Sequence, residues 1–159
     1  MDPLNAVGLA AAILQFVDFT TKLLNNGRQI YDSAQGATLE NCDLEAVTQS
    51  LVLLTGQISQ HDTGKGLSAG LHGSISNSDT LAEQDISDLG ASCQDVGREL
   101  LDALEHLKAP IRRNKWTSIV DALKTVWARG KIQGLRNRLD QYRVGIHTAL
   151  LVSLRSVLR

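Results

Sequence analysis

The chain has 159 residues, of which 43% are apolar, 21% charged and 4% aromatic. This length suits one domain, and this balance is that of an ordinary globular protein, which excludes disorder along the whole chain. Leu and Ala dominate while aromatic residues are scarce, a composition that favours helices over sheets.

The formal net charge of −1 hides an asymmetry along the chain. Residues 1–107 carry four basic and fifteen acidic side chains, a balance of −11, whereas residues 108–159 carry twelve basic and two acidic ones, a balance of +10. Acidic and basic helices that lie side by side in a bundle would neutralise each other's fields. Alternatively, or in addition, the basic part would face an anionic membrane.

The first predicted helix spans about residues 3–26. Over residues 4–17 only Asn5 and Gln15 are polar, so this stretch has almost no face that prefers water and must be buried against something. It is not a secure membrane span, because Asp18 interrupts the apolar run after roughly fifteen residues and a bilayer core needs about 20. The second half is amphipathic and carries its polar residues on one face: Gln15, Asp18 and Lys22.

The next two predicted helices span about residues 38–60 and 80–108, and a Gly- and Ser-rich loop at 61–79 separates them. Both carry apolar residues spaced alternately by three and four, which is typical of a face that packs in a bundle. These residues are Leu44, Val47, Leu51, Leu54 and Ile58 in one helix and Ile86, Leu89, Cys93, Val96, Leu100, Ala103 and Leu107 in the other.

Pro110 ends the third helix, and a fourth is predicted over about residues 115–129. Gly130 is the predicted break before a fifth helix that runs to the end of the chain. The apolar positions are Trp116, Ile119, Val120, Leu123 and Val126 in the fourth helix and Ile132, Leu135, Leu139, Tyr142, Ile146 and Ala149 in the fifth. The pattern predicts an all-α fold, an up-and-down bundle of about five helices that forms a single domain over residues 1–159.

No catalytic, cofactor or metal site is predicted, and we expect a non-enzymatic protein. Residues 66–70 match G-x-S-x-G, but the strand-to-helix turn that makes such a serine a nucleophile is missing. The histidines lie on separate segments, and the cysteines Cys42 and Cys93 have no ligand spacing, which indicates a reducing, cytosolic setting. Basic residues are clustered, yet no recognition-helix pattern accompanies them, so neither nucleic acid nor a small-molecule substrate is expected.

Three stretches carry a resemblance to a known family: Met1-Asp2-Pro3-Leu4, Gln15-Phe16-Val17-Asp18-Phe19 and Lys115-Trp116. With the acidic third helix and the closing run of Leu, Val and Arg, they make the chain similar to the N-terminal domain of fungal STAND proteins. These are NOD-like receptors with a NACHT or similar module downstream, and their N-terminal domains belong to the HeLo-like helical bundles. The likeness covers nearly the whole chain and is weakest in the loop at 61–79.

The resemblance implies a cytosolic effector or signalling head of a longer multidomain receptor, with a HeLo-like four-helix core. In HeLo-like proteins, receptor oligomerisation releases the N-terminal helix to disrupt the plasma membrane and kill the cell, as in heterokaryon incompatibility. The implied partners are further copies of the chain, anionic membrane lipids and the downstream module in the same chain; no cofactor is implied.

Two sets of residues are candidates for this activity. The membrane and self-assembly helix would use Leu4, Val7, Leu9, Ile13, Leu14, Phe16, Val17 and Phe19. The anionic-lipid patch would use Arg112, Arg113, Lys115, Lys124, Arg129, Lys131, Arg136 and Arg138. The alternative is an interaction module, in which the same apolar helix packs a homo-oligomer or docks a protein partner and never touches lipid.

Overall fold

The computed structural model describes residues 3–25, 42–62, 77–108 and 119–157, and within these ranges all regular secondary structure is α-helical. The helices in chain order are α1 (Pro3–Asn25), α2 (Cys42–Asp62), α3 (Asn77–Lys108), α4 (Ile119–Val126) and α5 (Arg129–Val157). They pack against one another, so the predicted all-α fold of about five helices is confirmed.

The four long helices α1, α2, α3 and α5 form an up-and-down bundle in which successive helices run antiparallel. The beginning of α1 lies against the end of α2, and the end of α1 lies against the first half of α5. The second half of α3 likewise lies against the beginning of α5. The contacts that establish these directions join Gly8 to His61, Leu24 to Arg136, Asp18 to Arg143, Glu99 to Lys131 and Leu89 to Gly145.

α1 and α3 are the central pair of this bundle. Each of them packs against both α2 and α5, they contact each other, and α4 packs onto both. The most extensive packing joins α3 to α5. α3 holds eight acidic and two basic residues, and α5 holds six basic and one acidic. The predicted placement of acidic beside basic helices is therefore confirmed.

The predicted apolar faces of α2, α3 and α5 are confirmed by burial. Every predicted position on these helices is buried, or is partly buried and packed on the core. The partly buried ones are Leu54, Leu89 and Tyr142. Spacings of three and four therefore predicted the buried face of each helix correctly, because they place side chains on one side of a helix with 3.6 residues per turn.

The prediction is wrong around the fourth helix. α4 ends at Val126, which is 42% exposed, and the break falls at residues 127–128. Gly130 lies inside α5. The chain turns here because Trp127 is buried and its backbone N–H donates to the Leu123 carbonyl at 2.7 Å, which closes the last turn of α4. A glycine at an exposed first turn weakens a helix without ending it.

The predicted loop at 61–79 is shorter at both ends, because α2 extends through Asp62 and α3 begins at Asn77. The remainder of that loop, at 63–76, lies outside the described residues. The same is true of the predicted start of the second helix at Thr38, of Pro110 and of Trp116.

Gly97 allows α3 to approach both of its neighbours closely. A Cβ atom at this position would lie 2.6 Å from Thr55 Oγ1 and 3.4 Å from Phe16 Cε2. The first distance is well inside van der Waals contact, so any side chain here would push α2 or α1 away from α3. Gly134 on α5 is the opposite case, since a Cβ there would meet no atom within 4 Å.

We predict opposite effects of adding one methyl group at these two glycines. Gly134→Ala should raise the free energy of unfolding by roughly 0.5–1 kcal/mol, because alanine is the better helix former and meets no neighbour. Gly97→Ala should lower the free energy of unfolding by roughly 1–3 kcal/mol, because the added methyl group overpacks the contact with Thr55 and this outweighs the better helix propensity of alanine. Urea unfolding followed by circular dichroism measures both. A stabilised Gly97→Ala variant would mean that α1, α2 and α3 are not packed this closely.

Candidate functional site

The apolar residues predicted to form the membrane and self-assembly helix lie on α1 in three environments. Leu9, Ile13, Phe16 and Val17 are completely buried in the core. Leu14 and Phe19 are partly buried and pack against it. Val7 is 58% exposed, and the side chain of Leu4 lies outside the described residues. The burial that the sequence demanded for this helix is therefore supplied by the bundle itself.

α1 nevertheless keeps one continuous face in solvent. The exposed residues follow one another at spacings of four, four, three and four, so they form a single stripe along the helix. Val7 is its one large apolar side chain. This solvent-facing stripe consists of Val7, Ala11, Gln15, Asp18 and Lys22. The predicted polar face of the second half of the helix is thereby confirmed.

The charged part of this stripe forms exposed ion pairs. Asp18 pairs with Lys22 one turn later, at 2.7 Å between Oδ2 and Nζ, and Arg143 of α5 lies 3.9 Å from the other carboxylate oxygen. All three side chains are at least 40% exposed. Such pairs contribute little to stability in water.

By length and composition α1 meets the requirement for a membrane-spanning helix. The 21 residues Asn5–Asn25 have a mean hydropathy of 1.5, and half of the most apolar window is buried in the bundle. Asp18 ends the apolar run in the sequence, whereas the helix itself extends past it to Asn25. A core helix of a soluble protein satisfies the same criterion, so this property describes α1 without deciding its role.

Both ends of α1 are held by polar contacts. At the beginning, the Asn5 side-chain amide donates to the His61 carbonyl at 3.1 Å, and Asn5 Oδ1 lies 2.9 Å from His61 Nδ1. Gly8 gives the imidazole room, because a Cβ there would lie 2.8 Å from the ring. At the other end, the Arg136 guanidinium donates to the Leu24 carbonyl, where a cation also complements the helix dipole.

Between these ends, polar atoms around α1 are buried without a hydrogen-bond partner among the described residues. They are Thr20 Oγ1, Thr21 Oγ1, Thr55 Oγ1 and Arg136 Nε. Thr20 is completely buried. An unsatisfied buried polar group costs about 1–3 kcal/mol relative to an apolar one of the same shape. α1 is thus well packed by its apolar side chains and poorly satisfied by its polar ones.

The basic residues predicted to form the anionic-lipid patch do not share one surface environment. Lys131 and Arg138 converge on Glu99 of α3, with nitrogen–oxygen distances of 2.6 and 3.7 Å. Lys124 pairs at 2.9 Å with Asp121 on its own helix. Arg129 is exposed. Arg136 points inward to the Leu24 carbonyl. The rest of the predicted set lies outside the described residues: Arg112, Arg113 and Lys115.

The junction between α4 and α5 organises part of this basic face. The Lys131 ammonium lies 4.9 Å from the centroid of the buried Trp127 ring while it pairs with Glu99. A cation over an indole face is attracted by the ring quadrupole. Lys131 is therefore positioned by Trp127 at the α4–α5 junction and by Glu99 of α3. No pattern in the sequence indicates this pairing of Lys131 with Trp127.

The remaining reactive side chains do not assemble into a catalytic centre in the described part of the chain. Burial raises the pKa of the Cys93 thiol from 9.0 to about 12, against a smaller opposing effect of the Arg138 charge, so Cys93 is an unreactive core residue as predicted. His61, His106 and His147 lie on three different helices. Ser68 and His72 lie outside the described residues, and no group of three potential metal ligands occurs within them.

Two features of the molecule were missed by sequence reasoning. The polar contacts at the ends of α1 join residues far apart in the chain, and no sequence pattern predicts them. The second feature is a set of exposed apolar residues on α3 and α5. The sequence does hold a sign of their exposure, because they are apolar residues that fall outside the three-four alternation of their helices. They are Leu81, Val144, Leu151 and Val152.

We predict that Thr20→Val raises the free energy of unfolding by about 1 kcal/mol or more, because it replaces an unsatisfied buried hydroxyl with a methyl group of the same shape. Thr48→Val is the matched control, since the Thr48 hydroxyl donates to the Leu44 carbonyl at 2.7 Å and its removal should bring no gain. Both variants are compared by urea unfolding. Equal effects at the two sites would show that Thr20 has a partner in solution.

Comparison of the chain with protein-family models, with curated protein sequences and with solved structures finds no match.

Proposed function

We propose that this chain is the N-terminal effector domain of a fungal NOD-like receptor, cytoplasmic at rest, which permeabilises the plasma membrane after oligomerisation through α1. The observation that carries the proposal is α1 itself, a 21-residue apolar span whose only strongly polar face is a narrow solvent-facing stripe. The resemblance of residues 1–4, 15–19 and 115–116 to that family supports the same assignment.

Transfer of α1 from the bundle to lipid would exchange one apolar environment for another. Leu9, Ile13, Phe16 and Val17 are as well removed from water in a bilayer as in the core. Asp18 and Lys22 are the costly residues, because each charge in the hydrocarbon costs about 3 kcal/mol by insertion scales. Several copies arranged around a wet interior would keep these charges hydrated. Insertion should therefore require oligomers.

The contacts of α1 define what activation would have to break. Its apolar face is held by all four neighbours, and its ends are held through Asn5 and through the Leu24 carbonyl. The unsatisfied hydroxyls of Thr20 and Thr21 favour release of α1, because they have no hydrogen bond in the bundle that release would break. α1 is thus retained chiefly by apolar packing and by two polar contacts at its ends.

The basic side chains of α5 would meet the headgroups. Lys131 and Arg138 share one partly buried acidic partner, Glu99, whose side chain is 33% exposed, and ion pairs that water reaches contribute about 0–1 kcal/mol. Phosphatidylserine headgroups would replace that partner at little cost, and each basic residue near an anionic surface contributes about 1 kcal/mol. The patch needs no refolding of α5 to reach lipid.

A second candidate function is an interaction module that oligomerises or binds a protein partner without touching membrane. The observation in its favour is the central position of α1, since departure of this helix removes the shared packing surface of all the others. Size-exclusion chromatography with light scattering, combined with vesicle co-sedimentation, separates the two functions. A stable dimer that ignores vesicles supports the interaction module.

Leakage of calcein from phosphatidylserine-containing vesicles tests membrane activity. Ala11 lies in the solvent-facing stripe of α1, so Ala11→Glu is tolerated by the folded bundle. In the proposed oligomer it would add one carboxylate per copy to the shared wet interior, where like charges repel one another and oppose assembly. We predict that it reduces leakage at least tenfold. Ala46→Glu makes the same change at an exposed position of α2 and should leak like the wild-type chain. Deletion of residues 1–17 should abolish leakage.

Several outcomes would contradict the membrane proposal. One is absence of wild-type leakage at every protein concentration. Another is equal leakage by the Ala11→Glu and Ala46→Glu variants, because the damage would then not depend on α1. Leakage that survives deletion of residues 1–17 would contradict it in the same way.

Cys93 provides a direct measure of bundle opening. Its thiol is buried, and the raised pKa of about 12 keeps it protonated at pH 7.5. Because burial disfavours the thiolate, the free energy of unfolding falls only as pH rises above 9.0, where the unfolded chain releases this proton, and continues to fall up to about pH 12. With Cys42→Ser as background, we predict slow maleimide labelling at pH 7.5 and at least tenfold faster labelling with anionic vesicles. Vesicles of neutral lipid are the control. Leakage without faster labelling would show that α1 acts without opening of the bundle.

A further inference from the structure

A groove of about 560 Å³ lies between the first half of α3 and the second half of α5. Its lining includes three small residues, Ala82, Gly145 and Ala149, which leave room between the two helices. Gly145 brings α5 close to α3, since a Cβ there would lie 3.3 Å from a Leu89 methyl group.

Apolar side chains at this groove are exposed to water. Leu81 on α3 is 65% exposed and Val152 on α5 is 42% exposed, and both line the groove. The next residue towards the beginning of α5, Leu151, is 68% exposed. Contiguous exposed apolar surface with polar residues at its rim is typical of a binding site. A concave apolar surface between two helices suits an apolar side chain of a third helix.

The charge of the groove selects among possible occupants. Asp85 and Asp88 of α3 line it, and no basic residue is among the described residues that do. One oxygen of Asp88 accepts a hydrogen bond from Gln84 at 2.8 Å. A ligand that fits must bring apolar side chains together with cations.

The distribution of basic residues along α5 explains why this helix brings no cation to these carboxylates within the described residues. α5 runs antiparallel to α3, and five of its six basic residues precede Gly145. Lys131 and Arg138 consequently neutralise Glu99 in the second half of α3. Over the groove α5 contributes Gly145, Thr148, Ala149 and Val152, all uncharged.

We propose that the α3–α5 groove is a docking site for a basic amphipathic helix of a protein partner. Apolar side chains of that helix would contact Leu81, Leu89 and Val152, and lysine or arginine one turn away would pair with Asp85 and Asp88. Anionic lipid is excluded by the same carboxylates. A twofold-related copy of this groove is disfavoured, because it would bring like charges together. The groove does not depend on the proposed membrane activity.

The test uses a fluorescein-labelled peptide of leucine and lysine, about 18 residues or five helical turns long, with one apolar and one basic face. Fluorescence anisotropy with the full chain should show saturable binding, and light scattering should give one peptide per chain. A peptide with glutamate in place of lysine should bind at least tenfold more weakly.

Variants on one helix locate the site. Asp85→Asn with Asp88→Asn should weaken binding roughly three- to tenfold. Asp95→Asn with Asp102→Asn removes the same charge from exposed positions of α3 outside the groove and should change binding less than twofold. Thr148→Trp, at an exposed position that lines the groove, should block it. Thermal unfolding by circular dichroism verifies that each variant is folded.

Equal weakening by the two double variants would overturn the proposal, because binding would then follow the net charge of α3. Absence of binding, or undiminished binding to Thr148→Trp, would overturn it as well. Vesicle leakage is measured on the same variants. A wild-type chain that causes leakage but does not bind the peptide would refute only the groove proposal, and one that binds the peptide but causes no leakage would refute only the membrane proposal.

Discussion

The burial of α1 is the constraint on which the rest of the structure depends. This helix has so few polar residues that it is stable in water only when most of its surface is covered, and the bundle covers it with four other helices. Its neighbours are shaped by that requirement. α3 carries Gly97 where it meets Phe16, and α2 offers His61 to Asn5. The bundle is in this sense built around its first helix.

Polar groups near α1 are less well accommodated than apolar ones. Thr20 and Thr21 carry buried hydroxyls with no partner among the described residues, and Arg136 satisfies only part of its guanidinium at the Leu24 carbonyl. Natural cores hold few such groups, so each one calls for an explanation. A helix that has two alternative environments would be under selection to fit both, and a packing site optimised for one would hinder the exchange.

Charge divides the outer surface of the bundle into two regions. Where the beginning of α5 lies against the second half of α3, Lys131 and Arg138 of α5 outnumber their shared acidic partner Glu99. Where the end of α5 lies against the first half of α3, Asp85 and Asp88 face uncharged residues. The first region suits anionic headgroups and the second repels them. One antiparallel helix pair would thus offer the proposed surface for lipid and, separately, the proposed surface for a basic helix.

The sequence by itself determined the helical class, the apolar faces of α2, α3 and α5, the burial of Cys93 and the polar stripe of α1, because these follow from residue type and from spacing along one helix. It misplaced the break at Gly130, since the buried Trp127 and the Leu123 carbonyl end α4 instead. Only the tertiary structure decided that Arg136 faces α1 while Lys131 faces Glu99, and that Leu81 and Val152 flank one groove. Helical periodicity states which side of a helix avoids water, but the partner that covers it depends on how distant segments pack.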